Sequence, residues 1–239
     1  MSQNLTTEHA KALYELALNS QRGGAFVHAI RVLEKLVEID DPFYSPFALA
    51  VMSQCYNSLG RRDLAHETLR RVSNLSKERQ LLLNPIYVAT CYQKSGDLAT
   101  AEVIVREFLE LAPNDASAIA ALAEITLLRG DLGEAERRAG RLQERGEAHL
   151  QVLGRVLRAF ALALLGKHDE SARELSWVAH FIISSGNVFA SSWDYGDIEA
   201  IAPRLGSNSR AAELLIDVLI ARKPLPEFIE AWNALESAA

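Results

Sequence analysis

Six histidines and two cysteines are the side chains in this sequence best suited to metal or nucleophilic chemistry, and their spacing decides whether they perform it. His9, His28, His66, His149, His168 and His180 include no pair three to five residues apart, so no helix turns two imidazoles toward one ion. Cys55 and Cys91 stand alone and lack zinc-site spacing. They read either as a redox or metal pair or as small apolar fillers in two equivalent packing slots. The filler reading is favoured, because neighbouring slots of a helical repeat lie about 10 Å apart, beyond disulfide reach. His168-Asp169-Glu170 follows a glycine and reads as a solvated helix start. Neither a glycine-rich phosphate loop nor a nucleophile elbow is present. Arg137, Arg138, Arg141, Arg145, Arg155 and Arg158 form the single basic concentration, interleaved with Glu134, Glu136, Glu144 and Glu147. Pairing three or four residues apart on a solvated face accounts for it, and a weak site for an anion or an acidic partner is the other reading. The sequence therefore predicts no catalytic residue, no metal site and no cofactor.

Composition narrows the class further. The 239 residues are 49% apolar but only 7% aromatic, with 23% charged and a formal net charge of −6. That is too apolar for disorder, and the acidic balance speaks against a surface that tracks phosphates. No run approaches the ~20 apolar residues of a membrane span. The N-terminus has neither the basic opening nor the apolar stretch of a signal peptide, so a cytoplasmic protein is expected. Abundant Ala and Leu with little Gly and Pro lean all-helical.

The elements that would position any site emerge from a repeat. Gly24, Gly60, Gly96, Gly130 and Gly166 are separated by 36, 36, 34 and 36 residues. Five residues after each stands Ala29, Ala65, Ala101, Ala135 or Ser171, and seven before each stands Ala17, Ser53, Ala89, Ala123 or Ala159. This register predicts a helix hairpin repeated five times. Glycine ends the first helix in the left-handed conformation, and the small residues let the two helices close to roughly 8–9 Å. Ser45-Pro46 and Asn84-Pro85 read as N-cap and first helical residue, and Asn114-Asp115 caps the next helix.

These residues resemble the tetratricopeptide repeat (TPR) family. The third unit carries the fullest match, with Val88-Ala89, Tyr92, Gly96-Asp97-Leu98, Ala101, Phe108 and Leu111-Ala112-Pro113-Asn114. The fourth has Leu122-Ala123, Gly130-Asp131-Leu132, Ala135 and Leu142; the second has Met52-Ser53, Tyr56, Gly60, Ala65 and Leu69. The first has Leu16-Ala17, Gly24, Phe26, Ala29 and Leu33. In the fifth, Arg155 and Arg158 fall where apolar residues are wanted, and a shift of one or two positions restores an apolar face of Leu153, Leu157, Phe160 and Leu164. The resemblance implies an all-α right-handed superhelix over residues 8–185, in units near 10–43, 46–79, 82–115, 116–149 and 152–185. A helical cap over 186–239 follows, since a solenoid's last repeat must be covered.

That C-terminal part holds all three tryptophans, Trp177, Trp193 and Trp232. Helices are expected from about Ser209 to Arg222 and from Pro226 onward, with a short one near Asp197. Three readings stay open: the tail caps the solenoid, Trp193-Asp194-Tyr195 forms a binding loop, or the final amphipathic helix folds into the protein's own groove.

The resemblance also implies a site. In the family the first helices of successive hairpins line a concave groove that holds peptides or helices. Carried onto this sequence, the groove residues are Tyr14, Gln21 and Arg22; Phe47, Gln54 and Asn57; Ile86, Thr90, Gln93 and Lys94; and Glu124 and Leu127. The Lys and Asn clamp by which one subgroup binds acidic chaperone tails is missing, since Tyr14, Leu18, Val51, Leu83 and Tyr87 occupy its positions. What remains suits a mildly apolar, uncharged segment, with side-chain amides offered to its backbone. The expected function is a non-catalytic adaptor or chaperone that binds another protein and neither nucleic acid nor membrane. Its alternatives are a self-associating assembly scaffold and a secretion-system-type chaperone.

Overall fold

A computed structural model describes residues 2–186, 193 and 195–238, with side chains from residue 7 onward. The described residues are all-α and follow the order α1 (Ser2–Arg22), α2 (Phe26–Ile39), α3 (Tyr44–Ser58), α4 (Arg62–Ser73), α5 (Lys77–Gln80), α6 (Pro85–Ser95) and α7 (Leu98–Leu111). Then come α8 (Ala116–Leu128), α9 (Leu132–Gln143), α10 (Ala148–Leu164), α11 (His168–Ser185), α12 (Gly196–Glu199), α13 (Ser209–Leu219) and α14 (Leu225–Ser237). The chain is a helical-repeat protein.

The five register glycines set this order. Each has φ between +71° and +93°, a region that any Cβ makes costly. At Gly96 the turn closes with Gly96 N–H donating to Gln93 O at 2.9 Å and Asp97 N–H donating to Tyr92 O at 2.9 Å, the paired bonds of a Schellman stop. The bond that spans the glycine recurs at all five sites, from Ala25 to Ser20, Arg61 to Tyr56, Asp97 to Tyr92, Asp131 to Thr126 and Lys167 to Leu162. After each stop the chain reverses. The ten small residues that flank the glycines are all at most 1% exposed, and eight of them lie on the helix pairs α1 with α2, α3 with α4, α8 with α9 and α10 with α11, which pack together.

Helix starts follow local chemistry, with one departure from expectation. Asn84 Oδ1 accepts from Ile86 N–H at 2.8 Å ahead of Pro85, and Asp115 Oδ1 accepts from Ala118 N–H at 2.8 Å. Ser45, however, caps nothing. Asp41 accepts from the N–H groups of Phe43 and Tyr44 at 3.0 and 2.8 Å, so α3 begins at Tyr44 and Ser45 is buried inside it. A carboxylate is the stronger acceptor for the free amides of a first turn, which draws the start upstream.

The chain divides into two compact units, Met1–Glu107 and Phe108–Ala239. In the first, Leu33, Leu36, Met52 and Cys55 form the centre of a core spread over α1 to α4. In the second, Leu142, Val156, Leu157, Phe160, Val178 and Ile182 continue into Tyr195, Leu215, Phe228 and Trp232, so the C-terminal segment shares one core with α8 to α11. Within it α13 packs on α11, and α14 packs on α11 and α13. The last helix therefore sits on the final hairpin.

One close approach in this unit tolerates no side chain. A Cβ at Gly154 in α10 would stand 2.8 Å from Ala139 O and 2.9 Å from Leu142 Cβ on α9. Gly154→Ala is expected to lower stability by about 1–3 kcal/mol through overpacking. Gly133→Ala, at a helical position of α9 whose Cβ would meet nothing within 4 Å, should instead gain up to about 1 kcal/mol of helix propensity. Urea unfolding of the two variants tests the opposite signs.

Candidate functional site

In the first unit, α1, α3 and α6 lie side by side, with α3 packed on both of the others. Ten of the twelve expected groove residues are on these helices. Tyr14, Gln21, Phe47, Gln54, Asn57, Ile86, Thr90 and Lys94 are half-buried, Arg22 is exposed and Gln93 is buried. Measured from the glycine that ends each helix, Gln21, Asn57 and Gln93 occupy the same register position, three residues before it. The equivalent helix face thus carries an amide three times over.

These amides differ in what they bind. Gln21 Nε2 donates to Gln54 Oε1 at 3.1 Å and bridges α1 to α3. Asn57 does not settle its needs this way. Both its Nδ2 and its Oδ1 are buried and have no hydrogen-bond partner among the described residues. An orphaned buried polar group costs about 1–3 kcal/mol, so this amide weakens the fold as it stands.

The other end of the same helices is aromatic. Tyr14 tilts against Tyr44 and Phe47 with ring centroids 5.7 and 6.2 Å apart, and Phe43 meets Tyr44 edge-on at 4.9 Å. Phe43 keeps 48% of its surface in water. Burial raises the Tyr14 hydroxyl above its ordinary pKa, so the ring edge stays neutral. An aromatic platform and an amide row, with Arg22 and Lys94 beyond, make up the face.

The second unit treats the corresponding face differently. Glu124 and Leu127 on α8 are both 2% exposed. Trp193 Nε1 donates to Glu124 Oε2 at 2.7 Å, α12 packs on α8, and Tyr195 and Ile198 are buried in the same core as Leu127. The two residues expected in the groove are therefore covered by the protein's own C-terminal segment and offer a ligand no surface. The reason is chemical, because α8 is apolar nearly all round, buried from Ala118 to Leu127, and a helix of that kind needs cover on every side. Asp194 lies outside the described residues, while Trp193 and Tyr195 act as packing groups.

Arg155 and Arg158, which break the apolar pattern of the fifth repeat, find carboxylates. Arg155 Nη1 and Arg158 Nη1 each donate at 2.6 Å to the two oxygens of Glu174, which is buried. Arg158 also reaches Glu136 at 3.4 Å, and Lys167 reaches Glu136 at 3.3 Å. The Arg155 guanidinium lies 4.0 Å over the Trp177 ring. Of the shifted apolar face, Leu153, Leu157 and Phe160 are buried and Leu164 is half-buried. Spacing alone gives no sign of the Glu174 pairing, since its partners are 16 and 19 residues away.

No protein-family profile matches this chain, and no curated protein matches it. Among solved structures it is similar to the crystal structure of the TPR domain of P58(IPK), at 19% identity and a TM-score of 0.37. That alignment covers 99% of this chain and 62% of the other, so this chain spans less than two thirds of its neighbour's length. No residue's role is taken from that likeness.

Cys55 and Cys91 are both fully buried. Burial pushes each thiol up to about 11, which leaves roughly one thiolate in a thousand at pH 8. Neither is expected to react with an aromatic disulfide reagent in the native protein at pH 8, and both should react at once in guanidinium. Because the folded pKa lies above the unfolded value, these thiols favour the fold fully below pH ~9, and that contribution is lost as pH rises toward ~11.

Proposed function

We propose that this chain is a non-catalytic protein-interaction module of the tetratricopeptide type, an adaptor or chaperone of the cytoplasm, which holds an extended, mildly apolar and uncharged segment of another protein across α1, α3 and α6. The observation that carries this reading is Asn57. It has one acceptor and two N–H donors, buried and unmet among the described residues, in register with Gln21 and Gln93. A peptide group has one N–H and one C=O, the complement of that pair. In an extended segment those groups are free to turn outward, whereas a helix consumes them internally.

The aromatic end of the face supports the same reading. Tyr14, Phe43 and Phe47 offer broad apolar area with little rotamer freedom to lose, which is the usual composition of an interface anchor. Because α8 is covered by the C-terminal segment, the site is assigned to the first unit, and Glu124 and Leu127 are left out of it.

Asn57→Ala separates function from stability. Removing an unmet buried amide is expected to leave Tm unchanged or higher, while affinity for the bound segment falls tenfold or more. Peptides selected on the wild-type protein from a random display library, then titrated by fluorescence anisotropy, provide the readout. Unchanged affinity in the variant would remove Asn57 from the site and the reading with it.

A further inference from the structure

A second candidate site lies along α9, α10 and α11, within the second unit. Three adjoining hollows of about 660, 360 and 450 Å³ run along these helices. The first two share Arg155 and Arg158, and the last two share Glu170 and Arg173, so they form one trough with arginine at each junction.

Two features of the largest hollow have no structural account. Gly133 and Gly140 line it from α9, where a Cβ would meet nothing within 4 Å. Packing does not require glycine at either position, and each weakens the helix by about 1 kcal/mol relative to alanine. Their effect is to keep the wall low. The same hollow is lined by Gln143 and Arg155, whose Nε2 and Nε are buried without a hydrogen-bond partner among the described residues. Both unmet atoms are donors. Both are closed to water as the side chains stand, so a ligand meets them only by drawing these side chains outward; the acceptor oxygens it brings are strongest, beside a guanidinium, in a carboxylate.

We infer that this trough is a carboxylate-binding site, filled by an acidic side chain on an extended segment of a partner protein. The Arg155 guanidinium is already oriented, with Nη1 bound to Glu174 and its face on Trp177, so a ligand orders little that is not already fixed. Glu136 is tied to Arg158 and Lys167, and Glu144 stands exposed at the rim. These like charges limit the first hollow to a single carboxylate. A free small acid fills one hollow, and the continuation of the trough past Trp177 to Arg173 is the length an extended chain uses.

The test is calorimetric titration of the full chain at low salt with two probes: an acetylated, amidated octapeptide of alternating Glu and Ser, and glutarate. Saturable peptide binding below about 1 mM is expected, with glutarate a weaker competitor and both weakened by 0.5 M NaCl. Arg155→Gln and Gly140→Leu should each weaken the peptide tenfold or more. The second adds bulk to the trough from a helical position whose Cβ meets nothing within 4 Å and leaves every charged side chain in place, so the test does not depend on how Arg155→Gln folds. Absence of saturable binding by either probe, or unchanged affinity in Gly140→Leu, would overturn the site. Glutarate bound as tightly as the peptide would overturn the partner segment as its occupant.

Discussion

The constraint on which the molecule depends is the burial of two small residues twelve positions apart, on either side of a left-handed glycine. Ala17 with Ala29, Ser53 with Ala65, Ala89 with Ala101, Ala123 with Ala135 and Ala159 with Ser171 are all removed from water. Small side chains at such positions let two helices pack closely. Because each such contact is local in sequence, no hairpin needs a distant part of the chain to define its geometry. The stability of the array then accumulates hairpin by hairpin. Gly154 extends the rule to a contact between hairpins, where α10 meets α9 without space for a methyl group.

Close packing of this kind makes buried polar groups expensive, and several are met within the fold. Asp41 is met by two backbone amides at the start of α3, Glu124 by an indole N–H, and Glu174 by two guanidinium groups. Each of these is a closed arrangement. Asn57, Gln143 and the Nε of Arg155 are open among the described residues. In an interior where unmet donors and acceptors are few, Ser171 Oγ and Trp232 Nε1 are unmet as well, so an open group bears on binding only where it adjoins a hollow or an exposed face.

The hairpins were legible in the sequence because their determinants are short-range and periodic. The glycine positions, the small pairs, the caps at Asn84 and Asp115 and the tail helices near 209 and 226 all follow from neighbours within about a dozen residues. What was not legible came from groups far apart in the chain. Glu124 reads as a groove residue until Trp193, 69 residues later, is seen to donate to it. Arg155 and Arg158 read as defects in an apolar pattern until Glu174 supplies both with an acceptor. Asp41 displaced Ser45 as a cap because propensity ranks residue types and does not report which oxygen reaches the free amides. For the candidate site, the family resemblance named the amides, yet only coordinates separate the paired Gln21 and Gln54 from the unpaired Asn57.

The same register then explains why the two units present such different faces. Three residues before the terminal glycine, the first three hairpins carry Gln21, Asn57 and Gln93, and the last two carry Leu127 and Ala163. Amide side chains tolerate water, so Gln21 and Asn57 can stay half-exposed on α1 and α3, although Gln93 on α6 is buried. A row of Leu and Ala beside Ile119, Ala120 and Ala123 cannot, since exposing it forfeits about 25 cal/mol for each Å² of apolar surface. The chain meets that demand with its own C-terminal segment, in which Tyr195 and Ile198 supply apolar cover and Trp193 satisfies the one carboxylate beneath. One repeat geometry therefore yields an open face where its register position is polar and a closed one where that position is apolar.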